Sequence, residues 1–330
     1  MKAFTIKGFG GPEVFQATDV PRPVVRPGHV VVRVAATSVN PVDYKIRRGD
    51  YAPIAPDAPA ILHGDIAGTI VEVGDGVAQF KVGDEVYGCA GGVKGYAGAL
   101  AEYMLADAQL LAHKPRTLNM QQAAALPLVA ITAWEALVER SKVQAGQSVL
   151  IHAGAGGVGH VAVQLAKARG ARVFATASTE DKQKIVRDLG ADGVIDYRRE
   201  SVADYVNAHT QGQGFDVVFD TVGGETFAHS LAAARPYGQV VSILPTATYD
   251  LSPLLQKSLT IHGIFMLLPL LTGHGRAAHG KLLGEIARLV DAGKICPLID
   301  TQTFRFADIA RAHTHAESGQ QIGKVVVAAA

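Results

Sequence analysis

The run from Pro127 to Pro236, with no proline in between and a glycine-rich turn near its start, constrains this chain more than any other feature. Proline cannot donate to a ladder and breaks helices, so regular strands and helices can run unbroken through such a segment. Short apolar strands alternate with amphipathic helices here and just beyond, at 148–152, 172–176, 193–196, 216–220, 239–243 and 259–262. That alternation predicts an α/β fold with a doubly wound parallel sheet. Residues 121–138 read as helical apart from Pro127, and Leu282, Leu283, Ile286, Leu289 and Val290 lie at helical spacing on one face.

The segment before this is different in kind. Eight of the fifteen prolines precede residue 60, and turns at 74–76 and 82–84 punctuate short β-branched runs, as in an antiparallel barrel-like domain. A chain of 330 residues fits two domains. Its 48% hydrophobic and 18% charged residues exclude disorder and fibrous repeats. Lysine and arginine (31) balance aspartate and glutamate (30), so nothing marks the chain for nucleic acid or an anionic membrane. The longest apolar runs, 123–131 and 264–271, fall short of the roughly 18 residues of a membrane span. Met1–Gly8 has no apolar signal core and reads as a first strand. Two cysteines, Cys89 and Cys296, form no C-x-x-C pair, which suits a reducing, cytoplasmic setting.

The turn itself is His152-Ala-Gly154-Ala-Gly156-Gly157-Val158-Gly159, with G-x-G-x-x-G spacing at Gly154, Gly156 and Gly159. It stands between a strand and a helix read over 160–169. Backbone without side chains can approach a pyrophosphate, and a helix amino terminus supplies free N–H groups, so the turn predicts dinucleotide binding. An NAD enzyme carries Asp or Glu at the end of the second strand. This strand ends Ala175-Thr-Ala-Ser178 with Lys182 a helical turn on, which favours the 2′-phosphate of NADP; Glu180 or Asp181 could instead serve an NAD ribose.

Gly146-Gln-Ser-Val-Leu-Ile-His-Ala-Gly-Ala-Gly-Gly-Val-Gly159, Asn40-Pro-Val-Asp43, His63-Gly-Asp-Ile-Ala-Gly68, Val82-Gly-Asp-Glu-Val86, Asp220-Thr-Val-Gly223 and Ile322-Gly-Lys-Val325 resemble the quinone oxidoreductase (zeta-crystallin-like) branch of the zinc-independent medium-chain dehydrogenase/reductase superfamily. Gly154 departs from the Ser or Ala usual there. The resemblance implies a GroES-like β-rich catalytic domain (1–121 and 266–330) and a Rossmann NADP-binding domain (122–265). It places Gly156, Gly157 and Val158 at the pyrophosphate and Ser178, Lys182 and Tyr197 at the 2′-phosphate. Thr132, Val222, Ile243, Phe265, Met266 and Leu267 fall where the branch lines the nicotinamide, with Gln321 and Lys324 near the cofactor. It also implies a homodimer through the last Rossmann strand.

Alcohol dehydrogenases of this superfamily hold zinc with a Cys, a His-Glu pair and a further Cys or Asp. Here Thr37–Pro41 contains no cysteine, His63-Gly64-Asp65 replaces G-H-E, and residues 90–100 lack the four-cysteine lobe. His313 with His315, and His274 with His279, read as surface or capping residues; no metal is expected. Without a Lewis acid an alcohol is hard to oxidise, whereas reducing a quinone or an α,β-unsaturated carbonyl needs only hydrogen-bond donors for the developing enolate and a proton. Tyr51 and Lys45 are the expected donors and Asn40 an organising residue. A packing role for Tyr51 and a solvated one for Lys45 are the competing readings. The readings open to the whole chain are an NADPH-dependent quinone or enone reductase, a non-catalytic NADPH-binding protein, and a zinc alcohol dehydrogenase with unusual ligands.

Overall fold

The apolar runs of the middle segment form the strands Ser148–Ile151, Arg172–Thr176, Gly193–Ile195, Phe215–Asp220, Ala234–Ser242 and Thr260–Gly263 in a computed structural model that describes residues 1–244 and 246–329. All pair in parallel, and their spatial order is third, second, first, fourth, fifth, sixth. This is the Rossmann order, with the direction of winding reversing between Ser148–Ile151 and Phe215–Asp220. Helices cover both faces of such a sheet, so its strands read as continuous apolar runs: Val149, Leu150, Ile151, Val217, Val218 and Phe219 are all fully buried. Leu150, Phe174, Phe215, Leu231 and Val240 pack together in one cluster of this core.

Two elements differ from the sequence reading. The stretch read as helical over 121–138 apart from Pro127 does divide at that proline, into Met120–Ala124 and Pro127–Trp134, but ends in a π turn over Glu135–Arg140 that was not expected. Pro127 has no N–H to give and steers its predecessor out of helical geometry. The fifth strand begins at Ala234, five residues earlier than expected, and accommodates Pro236 at an irregularity in the register between Phe215 and Val217.

These strands belong to a unit of residues 132–266 and 294–296; a second unit comprises 1–131, 267–293 and 297–330. In the second unit the long strand His29–Ser38 pairs antiparallel with Asp65–Val73, Tyr103–Asp107 and the chain's last strand, Val326–Ala328. The carboxyl-terminal segment is thereby brought alongside Ser38–Asn40, where the Val39 N–H donates to Val325 O.

The helix Arg276–Asp291 buries Leu282, Leu283, Ile286 and Val290, while Leu289 stays half-buried at the edge of the stripe. Two of its glycines are opposites. A Cβ on Gly280 would meet Gln109 O at 2.4 Å and Leu111 O at 2.8 Å, whereas one on Gly284 would meet nothing within 4 Å. Gly284→Ala is therefore expected to stabilise the fold by about 0.5–1 kcal/mol through helix propensity, and Gly280→Ala to destabilise it by about 1–3 kcal/mol through overpacking. Urea unfolding of the two variants checks the opposite signs.

Candidate functional site

In the Rossmann unit, the turn after Ser148–Ile151 is fixed by short-range bonds. The Ala153 N–H donates to Thr176 Oγ1 (2.9 Å), the Gly154 N–H to Thr176 O (3.0 Å) and the Gly156 N–H to Ala153 O (2.9 Å). Ala153 takes φ 51°, in the left-handed region. A Cβ on Gly159 would sit 2.1 Å from Ala153 O, and one on Gly154 would sit 2.8 Å from Ala175 Cβ, so both positions are closed to side chains. The helix Gly157–Ala168 starts here with Gly156 as N-cap, three residues earlier than the sequence reading. The N–H groups of Gly157, Val158 and Gly159 form its first turn and have no intrahelical acceptor. A closed glycine cradle under a free helix amino terminus fits a pyrophosphate.

The sheet order lays out the other predicted cofactor residues along the carboxyl ends of the strands. Ser178 follows the second strand, and the Ala177 N–H bonds to Ile195 O, bringing that turn beside Asp196 and Tyr197 after the third strand. Thr179 caps the helix Glu180–Asp188, which carries Lys182 in its first turn. On the other side of the glycine turn come Val222 after the fourth strand, Ile243 after the fifth, and Phe265 and Met266 after the sixth. Tyr197, Val222 and Phe265 are about half exposed and Met266 is buried. Thr132 is buried near the end of the Pro127–Trp134 helix. Leu267, Gln321 and Lys324 belong to the other unit.

Three residues that the sequence reading did not single out shape this edge. Asp220 ends the fourth strand; its Oδ1 accepts from the N–H groups of Val222 (2.9 Å) and Gly223 (2.8 Å), and its Oδ2 from Ser242 Oγ (2.7 Å). Those bonds fix the Val222 turn; the motif Asp220-Thr-Val-Gly223 had marked the aspartate without giving it a role. His152 is buried, and burial pushes its imidazole down to about 4, so it is neutral at pH 7. Arg198, exposed, follows Tyr197 in the turn after the third strand, and its N–H donates to Asp196 Oδ1 (3.1 Å).

The other unit gathers a buried polar cluster. Asn40 precedes the helix Pro41–Arg48 and its N–H donates to the Asp43 carboxyl (2.7 Å), as an N-cap residue's does. Its side chain is fully buried: Nδ2 donates to Asp65 Oδ2 (2.7 Å), and Oδ1 accepts from the Lys324 ammonium. Asp65 also accepts from Ser38 Oγ (2.7 Å) and from the Leu128 N–H (2.8 Å). Burial raises the Asp43 carboxyl to about 7. On the same helix Lys45 is only partly buried, and its Nζ lies 5.2 Å from the centre of the Tyr51 ring, so these two candidate donors stand together. The loop after Tyr51 borders a cavity of about 410 Å³, lined by Phe9, Ala52, Pro53 and Pro56 and by Lys7 and Lys94.

The histidines suggested by spacing do not converge. His313 Nε2 meets His63 Nε2 at 2.9 Å, whereas His315 faces Asp300 at 3.1 Å. The residues at the superfamily's zinc position do not fit zinc either. Asn40 and Asp65 supply oxygen, a lysine ammonium stands among them, the buried Cys89 thiol beside Asp65 is held protonated, and the His63 imidazole is taken by Thr37 and His313.

Family comparisons bear on both units. Residues 26–116 match the alcohol dehydrogenase GroES-like domain, and residues 189–327 match the family described as zinc-binding dehydrogenase. Over 99% of this chain and 79% of the relative, it is 35% identical to a chloroplastic NADPH-dependent alkenal/one oxidoreductase of Arabidopsis thaliana. Over 77% of this chain and 76% of the relative, it is 34% identical to the quinone oxidoreductase of Homo sapiens. The crystal structure of an alcohol dehydrogenase superfamily protein from Novosphingobium aromaticivorans superposes with a TM-score of 0.95 at 45% identity, covering all of both chains. The chain, a GroES-like domain joined to a Rossmann domain, is a member of the quinone oxidoreductase branch of the medium-chain dehydrogenase/reductase superfamily.

Proposed function

We propose that this protein is an NADPH-dependent, zinc-independent reductase that delivers hydride to quinones or to the C=C bond of α,β-unsaturated carbonyls, with 122–265 as its cofactor domain and 1–121 with 266–330 as its catalytic domain. The observation that carries this reading is the glycine cradle, closed to a Cβ at Gly154 and Gly159, with Ser178 rather than a carboxylate at the end of the second strand and Lys182 a helical turn on. The named activities of the plant and human relatives support it. Bound NADPH supplies the hydride. Gly157 and Val158 hold the pyrophosphate by backbone N–H groups, and Gly156, whose own N–H is taken by Ala153 O, lets the backbone come close to it. Ser178, Lys182 and Tyr197 hold the 2′-phosphate, with Thr132, Val222, Ile243, Phe265, Met266 and Leu267 around the nicotinamide and Gln321 and Lys324 near it. Lys45 and Tyr51 donate hydrogen bonds to the substrate oxygen as negative charge develops there, and Asn40 organises the segment that carries them.

The test is NADPH oxidation by chelator-treated protein with a small 2-alkenal and a para-quinone side by side. Turnover of either supports the proposal, and the alkenal should yield the alkanal. Tight NADPH binding without turnover of either would replace it with the non-catalytic reading. Lys182→Ala is expected to weaken NADPH about tenfold, the loss of one charge-assisted bond, while leaving NADH nearly unchanged. Titration with each cofactor checks this, and equal losses would remove Lys182 from the 2′-phosphate site.

We further propose a cytoplasmic homodimer. Among the described residues Thr260–Gly263 ends the sheet, paired to Ala234–Ser242 alone, with Tyr237 and Leu255 strongly exposed close to where it starts. Neither Cys89 nor Cys296 forms a disulfide, and among the described residues no helix is long and apolar enough to cross a membrane.

A further inference from the structure

We infer that the Lys324 ammonium is a resident cation of the GroES-like domain, seated where the zinc-dependent members of the superfamily hold their metal, and that removing it turns the pocket into a site for a hard divalent cation. Lys324 is 3% exposed. Its Nζ donates to Val39 O (2.9 Å) and to Asn40 Oδ1 and lies 3.8 Å from Asp65 Oδ2. A carbonyl, an amide oxygen and a carboxylate thus converge on one positive charge; the buried Cys89 thiol bonds the same carboxylate but is held protonated, which leaves three oxygens on the ammonium, a donor set suited to manganese or magnesium. The two segments that would carry metal ligands, Thr37–Pro41 and His63–Asp65, are the ones that meet at this ammonium.

The arrangement is specific as well as charged. The Asn40 amide has its oxygen on the ammonium and its nitrogen on the carboxylate; a flipped amide would set like against like at both ends. Burial pushes the Lys324 ammonium down, and the nearby Asp65 and Asp43 carboxyls draw it back up. The side chain comes from the far end of the chain, held by Lys324 N–H to Leu298 O (2.9 Å) and Asp300 N–H to Lys324 O (3.0 Å).

The inference is independent of the substrate and is tested without turnover. Wild type, Lys324→Ala, Lys324→Arg and the double variant Lys324→Ala/Asp65→Asn are titrated with Mn²⁺, with free ion followed by its electron paramagnetic resonance signal and stability by thermal unfolding. Lys324→Ala is expected to bind one Mn²⁺ per chain and to gain melting temperature with it. Wild type, Lys324→Arg and the double variant are expected to do neither. If Lys324→Ala is unfolded alone, it is expected to fold when Mn²⁺ is added, and the double variant to fold without it. A folded Lys324→Ala that takes up no Mn²⁺, a Lys324→Ala that stays unfolded with it, or wild type that binds it equally well would overturn the inference.

Discussion

Gly159→Ala is expected to weaken NADPH binding by at least about a hundredfold, roughly 2.7 kcal/mol. The added methyl would lie 2.1 Å from Ala153 O, 2.9 Å from Ala153 C and 3.0 Å from Gly154 Cα, all of them backbone atoms. A flexible side chain could swing away from such a contact, but this backbone is anchored by the Ala153 and Gly154 N–H groups on Thr176 and by the Gly156 N–H on Ala153 O. The turn must therefore move away from the first helical turn, separating the glycines from the N–H groups of Gly157 and Val158 that the pyrophosphate needs. Gly156→Ala is the internal comparison, because its nearest contact is a single one, Ala153 O at 3.1 Å. The apo fold is expected to tolerate it better. Calorimetric titration with NADPH and thermal unfolding without it separate the two effects. Binding by Gly159→Ala within threefold of wild type would show that the turn yields, and the closed cradle would lose its standing as the basis of the cofactor reading.

The glycine turn was legible because its chemistry is local: strand, turn and helix occupy consecutive residues, and the alternating apolar runs forced a parallel sheet on which that turn could have only one place. The polar cluster of the GroES-like domain was legible only in parts. Asn40 and Asp43 stood out as one motif, and Lys45 and Tyr51 lie close enough in sequence for their pairing to be foreseen. Lys324 is 284 residues from Asn40, and no pattern in the sequence announced that its ammonium would bond Asn40 and Val39. His63 and His313, 250 residues apart, read as a replaced metal motif and a surface pair; the fold makes them partners. Contacts of this span are fixed by the pairing of the last strand with Ser38; that 266–330 rejoins 1–121 was expected, but not which side chains then meet.

That buried pair leads to the second large expectation, a loss of stability in acid. Thr37 Oγ1 donates to Asp65 O (2.6 Å), so toward His63 Nδ1 (3.2 Å) it can only accept, which puts the His63 proton on Nδ1. His63 Nε2 is then bare and takes the N–H of His313 Nε2 at 2.9 Å, so both rings are neutral. A proton on His63 Nε2 would set two N–H groups face to face. Burial, reinforced by Lys324, pushes His63 down to about 3; burial, reinforced by His63 and Arg47, holds His313 well below the usual range. Once unfolded, both rings take up protons below about pH 6.5, which the folded state refuses. Stability is therefore complete above that pH and falls below it by about 1.4 kcal/mol per histidine per pH unit. Asp43 acts with the opposite sign: raised to about 7, it takes up a proton in the fold that the unfolded chain does not hold until lower pH. His152, buried and pushed down to about 4, loses stability in acid in the same way, so three histidines against one aspartate leave a net loss of roughly 3 kcal/mol between pH 6.5 and 5. His313→Leu removes one of the titrating groups and leaves His63 Nε2 without its donor. At pH 7.5 it is expected to be less stable than wild type by about 1–3 kcal/mol, and the gap should close by about 1.4 kcal/mol for each unit of acidification below 6.5. Urea unfolding at a series of pH values measures the gap directly. A gap that stays constant down to pH 5 would mean that His313 exchanges its proton as freely folded as unfolded, and the neutral buried pair would have to be abandoned.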